Sequence, residues 1–198
     1  MMRNASPPRA KPKVSWTNKK LVHGCLGGDE ASWDAFLEKY KNLIYSIPIK
    51  YGFSPDDASD IFQAVCMDVI SELAKLREPD ALPKWLIQLT SHRCFHWKRE
   101  QQRYVSKDFD QEAEVPDELS PLRDELLAEA QREQILREAI TELPTRCQKL
   151  VHMLFFDSTS PAYVEVARSL GLATGSIGFI RQRCLEKLRR KLVEMGFQ

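Results

Sequence analysis

An all-α fold of two small helical domains follows from three observations on this 198-residue chain. Apolar residues recur at spacings of three and four along most of its length, as amphipathic helices require. Alternation with a period of two, the mark of a half-buried strand, appears nowhere over a useful length. An acidic, proline-containing stretch divides the helical signal into two blocks, each large enough to close a small core. At 43% hydrophobic and 29% charged residues, the chain can bury such cores, which excludes global disorder, collagen-like repeats and coiled-coil fibres.

Residues 1–16 (MMRNASPPRAKPKVSW) mix proline, lysine and small residues without periodicity and read as a disordered basic tail. Order begins near Thr17. Asp29 caps a helix running through Tyr40, with Trp33, Phe36, Leu37 and Tyr40 on one face, and Ser54-Pro55 opens another with proline at its first position. Ile61, Val65, Val69, Leu73 and Leu76 then recur at intervals of 4, 4, 4 and 3, giving that helix its apolar stripe. Residues 78–83 (EPDALP) break it. A further helix from Pro83 to about Arg103 turns Leu86, Thr90, Cys94 and Trp97 inward.

The stretch 104–127 carries two prolines and an acidic run and reads as a linker, partly helical at its end, between a domain at 17–103 and a domain at 128–198. Beyond it, Ile135, Leu136, Ala139, Ile140 and Leu143 mark one helix, Pro144 restarts the chain, and Leu150, Val151, Leu154 and Phe155 mark the next. In 160–192, Ser160 caps and Pro161 enters the first turn of a short helix that buries Val164 and Ala167, with Val166 and Leu170 beside them. Gly171 supplies the positive φ of a tight turn, and a second helix begins around Thr174 to Ser176. Small Ala167, Gly171 four residues later and Ile177 six after that are the spacing of a helix-turn-helix, in which the small residue permits close approach and the isoleucine plugs the space between the helices.

Net charge is only +1, but it is segregated. Residues 1–20 are basic without an acid, 84–107 hold six cations against Glu100, 108–125 are acidic apart from Arg123, and 181–191 carry six cations against Glu186. Two basic blocks flanking an acidic strap point to polyanion contacts at separate places. Cys25, Cys66, Cys94, Cys147 and Cys184 are odd in number, widely spread and free of CxxC pairs, so reduced thiols are expected. No apolar run is long enough to span a membrane and the N-terminus lacks an apolar signal region, which predicts a cytoplasmic protein.

On the helix from Pro83, an advance of about 100° per residue brings Trp85, His92, His96, Arg99 and Arg103 into one sector, with Lys84 beside it. Aromatic faces interleaved with cations suit single-stranded or melting DNA, whose unpaired bases stack and whose backbone is charged. His92 and His96 have the i, i+4 spacing that can hold zinc, but Cys94 points away from them and no further ligand is evident, so no metal is expected. The acidic face Asp56, Asp57, Asp60, Asp68 and Glu72 with Gln63 lacks a phosphate loop, a nucleophile elbow or a histidine partner. It reads as solvated or protein-binding surface, and no catalytic residue or cofactor is expected.

Together these segments resemble the sigma-70 family of RNA polymerase sigma factors, in the compact extracytoplasmic-function branch that keeps only the sigma2 and sigma4 domains. Residues 57–65 (DASDIFQAV) resemble the family's core-binding helix, 85–99 (WLIQLTSHRCFHWKR) its promoter-melting helix, and 163–188 (YVEVARSLGLATGSIGFIRQRCLEKL) its sigma4 signature. His92, His96, Ala64 and Ala173 depart from the family's usual Asn, Asp, Glu and Ser or Thr. The resemblance implies a noncatalytic specificity subunit with a sigma2-like bundle and a sigma4-like helix-turn-helix. Its partners would be core RNA polymerase, through the clamp coiled coil and the flap, and promoter DNA, with an anti-sigma factor left open. Asp57, Asp60 and Gln63 would meet the polymerase; Lys84, Trp85, His92, His96, Arg99 and Arg103 would open the −10 element; Thr174, Ser176, Gly178, Phe179, Arg181, Gln182, Arg183 and Lys187 would read the −35 element. The acidic linker would follow the RNA path. The competing readings are a helix-turn-helix regulator that never binds core polymerase and a metal enzyme built on His92, His96 and a cysteine.

Overall fold

The computed structural model describes residues 16–105, 120–157 and 161–197. The tail 1–15, residues 106–119 of the acidic stretch and Ser160 lie outside them, as do the side chains of 102–105 and 120–123. The described residues form eight α-helices and no strand: α1 (Asn18–Leu26), α2 (Glu30–Lys50), α3 (Pro55–Glu72), α4 (Leu82–Val105), α5 (Ser120–Thr141), α6 (Thr145–Phe155), α7 (Tyr163–Leu170) and α8 (Ile177–Glu194).

The first three helices start as their sequences dictate. Thr17, Asp29 and Ser54 each accept a hydrogen bond from a first-turn amide of α1, α2 and α3, satisfying donors that have no partner within the helix. Helix α2 outruns the expected end at Tyr40 because its stripe continues through Leu43, Ile44 and Ile47, all buried. Pro48 lies inside its last turn, where it has no N–H for the Ile44 carbonyl and costs α2 one helical hydrogen bond. Helix α1, unassigned in the sequence, packs on α2 at Gly24, where a Cβ would stand 2.0 Å from the Ser32 hydroxyl oxygen. Only glycine permits that approach.

Helices α1 to α4 enclose a core of Leu21, Phe36, Tyr40, Leu43, Ile44, Ile61, Val65, Val69, Leu82, Leu86 and Cys94. Full burial of each large apolar side chain is worth about 1.5–3 kcal/mol. Tyr40 is wholly buried yet keeps a polar partner, its hydroxyl donating to Asn18 Oδ1 at 2.6 Å. The inward set on α4 is as expected: Leu86, Thr90 and Cys94 are buried and Trp97 packs partly against the core.

A second core gathers Ala139, Ile140, Leu143, Leu150, Val151, Val166, Ala167, Ile177 and Leu188 from α5 to α8. Gly171 closes α7 in the left-handed region with φ 63°, and Ile177 plugs the helix pair with no exposed surface. Three expectations need correction. Helix α7 begins at Tyr163 rather than at Pro161, with Ala162 at its cap. Val164 is 53% exposed, since the register places Val166 and Ala167 inward instead. The turn ends in a short 3-10 segment, Thr174–Ser176, before α8 begins at Ile177. None of α6, α7 and α8 has a side-chain cap, the cap positions being Pro144, Ala162 and Ser176.

The reduced-thiol expectation also fails for one pair, because Cys147 of α6 and Cys184 of α8 form a disulfide with Cα atoms 5.3 Å apart. Thirty-seven residues separate them, so only the packing of α6 against α8 reveals the pairing. Cys25, Cys66 and Cys94 are free, and burial pushes the Cys25 thiol up to about 11 and that of Cys94 up to about 12. Both stay protonated at neutral pH and make poor nucleophiles.

Closing a loop of 37 residues restricts the unfolded chain by about 4 kcal/mol on the chain-entropy account. Reduction with dithiothreitol should therefore lower the thermal midpoint of the second domain, and a Cys147→Ala, Cys184→Ala chain should match the reduced protein and ignore the reductant. Equal midpoints with and without reductant would show that the link contributes nothing.

Candidate nucleic-acid interface

Helix α8 divides by angle. Ile177, Cys184 and Leu188 form its buried stripe, while Gly178, Phe179, Gln182 and Arg183 share the opposite, exposed sector. Phe179 is 64% exposed, with the Arg183 guanidinium carbon 5.6 Å from its ring centroid. An apolar ring and a forked cation side by side offer one group for a base methyl or face and one for acceptor atoms or phosphate. Gln182 is held by Glu186 at 3.2 Å. Arg181 leans instead toward α7, where its guanidinium donates to the Tyr163 hydroxyl at 2.6 Å. Lys187 lies half-buried at the flank, and Thr174 and Ser176 sit in the 3-10 turn at the helix entrance. Seven of the eight expected positions thus line the turn and one side of α8, and Arg181 connects that side to α7.

The basic sector of α4 is partly structural. Trp85 is half-buried against the first core, whereas Lys84, His92 and His96 are exposed and Arg99 is half-buried. The two histidines meet edge to face, ring centroids 4.3 Å apart and Nε2 atoms 3.1 Å apart. No third His, Cys, Asp or Glu joins them to make a metal-holding group among the described residues. Phe95, 41% exposed and 5.9 Å from the His96 ring, was not singled out in the sequence, where it reads as one more apolar residue. The side chain of Arg103 lies outside the described residues.

The acidic face of α3 separates into bound and free carboxylates. Asp57 accepts from Ser54 Oγ at 2.7 Å, from Trp97 Nε1 at 3.2 Å and from Gln101 Nε2 at 3.1 Å. It is therefore a tie between α3 and α4. Those bonds, the Ser54 hydroxyl's first, hold its carboxyl below the usual carboxylate range. Asp68 is likewise taken up by Arg93 of α4 in a two-point ion pair. Asp60 and Gln63 remain exposed, and Gln63 borders a cleft of about 320 Å³ with Lys41, Asn42, Tyr45, Ser59 and Phe62. The α2 side of this cleft carried no signal in the sequence, because it forms only when α2 and α3 pack. No helix among the described residues is long and apolar enough to cross a membrane.

Comparison with known proteins agrees with this geometry. Residues 36–104, which span most of α2 and all of α3 and nearly all of α4, match the family described as Sigma-70 region 2. Over 182 residues the chain is 23% identical to the RNA polymerase sigma factor SigV of Bacillus subtilis (strain 168), covering 92% of this chain and 97% of that protein.

Because the folded state holds the Asp57 carboxyl below its unfolded value, the stability it contributes is present above about pH 4 and is lost as pH falls through the lower folded value. Asp57→Asn should unfold at lower urea than the parent at pH 7, and the gap should close from about pH 4 downward. A gap that persists unchanged at pH 2.5 would mean the loss is steric.

Proposed function

We infer that the chain is an RNA polymerase sigma factor of the sigma-70 family, in its extracytoplasmic-function branch. The observation that carries this reading is the pairing in one chain of a region-2 bundle, with an exposed basic and aromatic helix α4, and a helix-turn-helix whose α8 turns Phe179, Gln182 and Arg183 outward. A conventional helix-turn-helix regulator has no use for the first of these. The protein acts without catalytic chemistry of its own: it binds core RNA polymerase, recognises promoter DNA and starts transcription, and it works in the cytoplasm.

Within that activity the roles divide along the structure. Asp60 and Gln63, with the cleft beside them, meet the clamp coiled coil of the polymerase, while Asp57 acts from behind by fixing α3 to α4. The His92, His96 and Arg99 face of α4, with Lys84 near its start, handles the strand that separates at the −10 element. Gly178, Phe179, Gln182 and Arg183 enter the groove at the −35 element. Arg181, Lys187, Thr174 and Ser176 serve phosphate and position. The second domain also rests on the flap, and an anti-sigma factor would compete for these same faces.

Transcription with core polymerase is the direct test. His92→Ala and Arg99→Ala, singly and together, should impair transcription from a duplex promoter and be rescued by a premelted bubble, since stacking of about 1–3 kcal/mol per base becomes available only once bases leave the duplex. Equal loss on both templates would indicate a docking defect, and absence of any core-dependent transcription by the parent chain would overturn the reading. Arg183→Ala should weaken binding to −35 duplex by about 1–3 kcal/mol if the side chain reaches a base edge. Unchanged affinity in a mobility-shift titration at low salt would remove α8 from the reading role.

A further inference from the structure

Two histidines of α4 bring their nitrogens to one place. His92 and His96 stand one turn apart on the helix, both exposed, with their rings edge to face and their Nε2 atoms 3.1 Å apart. Spacing alone sets such a pair on one face and says nothing of where the nitrogens go. Here they converge. A borderline-soft divalent cation binds imidazole nitrogen at about 2.0–2.1 Å, and two such bonds to atoms 3.1 Å apart meet at about 95–100°. That is close to the right angle between neighbouring ligands in square-planar or octahedral coordination, and a tetrahedral ion asks for only a slightly wider pair. The terminal torsion of histidine is soft, so each exposed ring can turn its lone pair from the other ring toward a shared ion.

The surroundings suit a cation better than the basic sector suggests. Arg93 is already taken up by Asp68, and the exposed carboxylate Glu100 stands one turn beyond His96. No third His, Cys, Asp or Glu among the described residues joins the pair, which sets the affinity rather than forbidding the site. Two linked imidazoles exceed one by about 100-fold or more through effective concentration, and they fall well short of a closed four-ligand site. The chain has four histidines; the other two, His23 on α1 and His152 on α6, lie on separate helices. His92 and His96 are also two of the positions at which the sequence departs from the family pattern.

We propose that His92 and His96 form a two-point chelate for a divalent cation of the nickel, copper and zinc class, with water in the remaining positions, and that metal seated there withdraws both imidazoles from the separating strand. The chelate stands on the geometry of α4 alone; its effect on strand opening rests on the sigma-factor reading.

The test uses the full chain with nickel(II) and, separately, zinc as probes. Calorimetric titration should show one ion bound per chain, with His92→Ala and His96→Ala each binding about 100-fold more weakly. His96→Gln repeats the measurement if an alanine variant loses helicity by circular dichroism. A chain carrying His23→Ala and His152→Ala, and a Cys66→Ser chain that lacks the half-exposed free thiol, should both bind as the parent does. Affinity unchanged in the His92 and His96 variants, or lost in either control, would overturn the site. With core polymerase on a duplex promoter, nickel(II) at about ten times its dissociation constant should lower output about tenfold. A chelator should restore that output, a premelted bubble should be spared, and the residual output of His92→Ala should not fall further with metal. Equal inhibition on the bubble or in His92→Ala would overturn the blocking role. A parent chain inactive with core polymerase in every arm would count against the sigma-factor reading alone, because the titrations involve neither polymerase nor DNA.

Discussion

A helix can bury two opposite faces only if a body of protein stands on each side of it, and α5 satisfies that constraint with two unlike partners. Its second-domain face carries Leu136, Ala139 and Ile140; its first-domain face carries Leu127, Ala130 and Gln134, with Lys39 and Lys50 of α2 paired to its glutamates. The placement of the helix-turn-helix beside the bundle depends on this one element. Lys50 illustrates the balance: burial alone would lower its pKa, yet the hydrogen bonds it donates to Glu133 and Glu129 raise it on balance. The contact is favourable and polar at once.

The first bundle shows how structure and function divide one surface. The acidic side of α3 looks uniform in sequence, but two of its carboxylates are committed inside the bundle, Asp57 to Trp97 and Gln101 and Asp68 to Arg93. Asp56, Asp60 and Gln63 stay exposed, the last beside the cleft with Tyr45 and Phe62. The same economy appears on α4, where Trp85 contributes to the core and the neighbouring histidines face water.

Much of this was legible in the sequence, for physical reasons that also mark where legibility stops. The stripes of α3 and α4, the Asp29 and Ser54 caps and the Gly171 turn obey local rules of period, capping and φ. The expected end at Tyr40 falls short, because the stripe runs on through Leu43, Ile44 and Ile47, which bury against the bundle and carry α2 past Pro48 to Lys50. The first-domain face of α5 was invisible because alanine and glutamine carry no hydrophobic signal; only their burial identifies them. Val164 and Val166 are indistinguishable by type, and a shift of the helix start by two residues decides which of them is inside. The Cys147–Cys184 link joins positions that only tertiary packing brings together.

The helix caps have a consequence for how the molecule breathes. Helices α1, α2 and α3 begin on Thr17, Asp29 and Ser54, whereas α6, α7 and α8 begin without a side-chain acceptor. Each such cap is worth about 1 kcal/mol, so the helix starts of the two halves differ in local resilience. First-turn amides of α6, α7 and α8 are held by no side-chain acceptor, and opening those turns costs less than opening the capped starts of α1, α2 and α3.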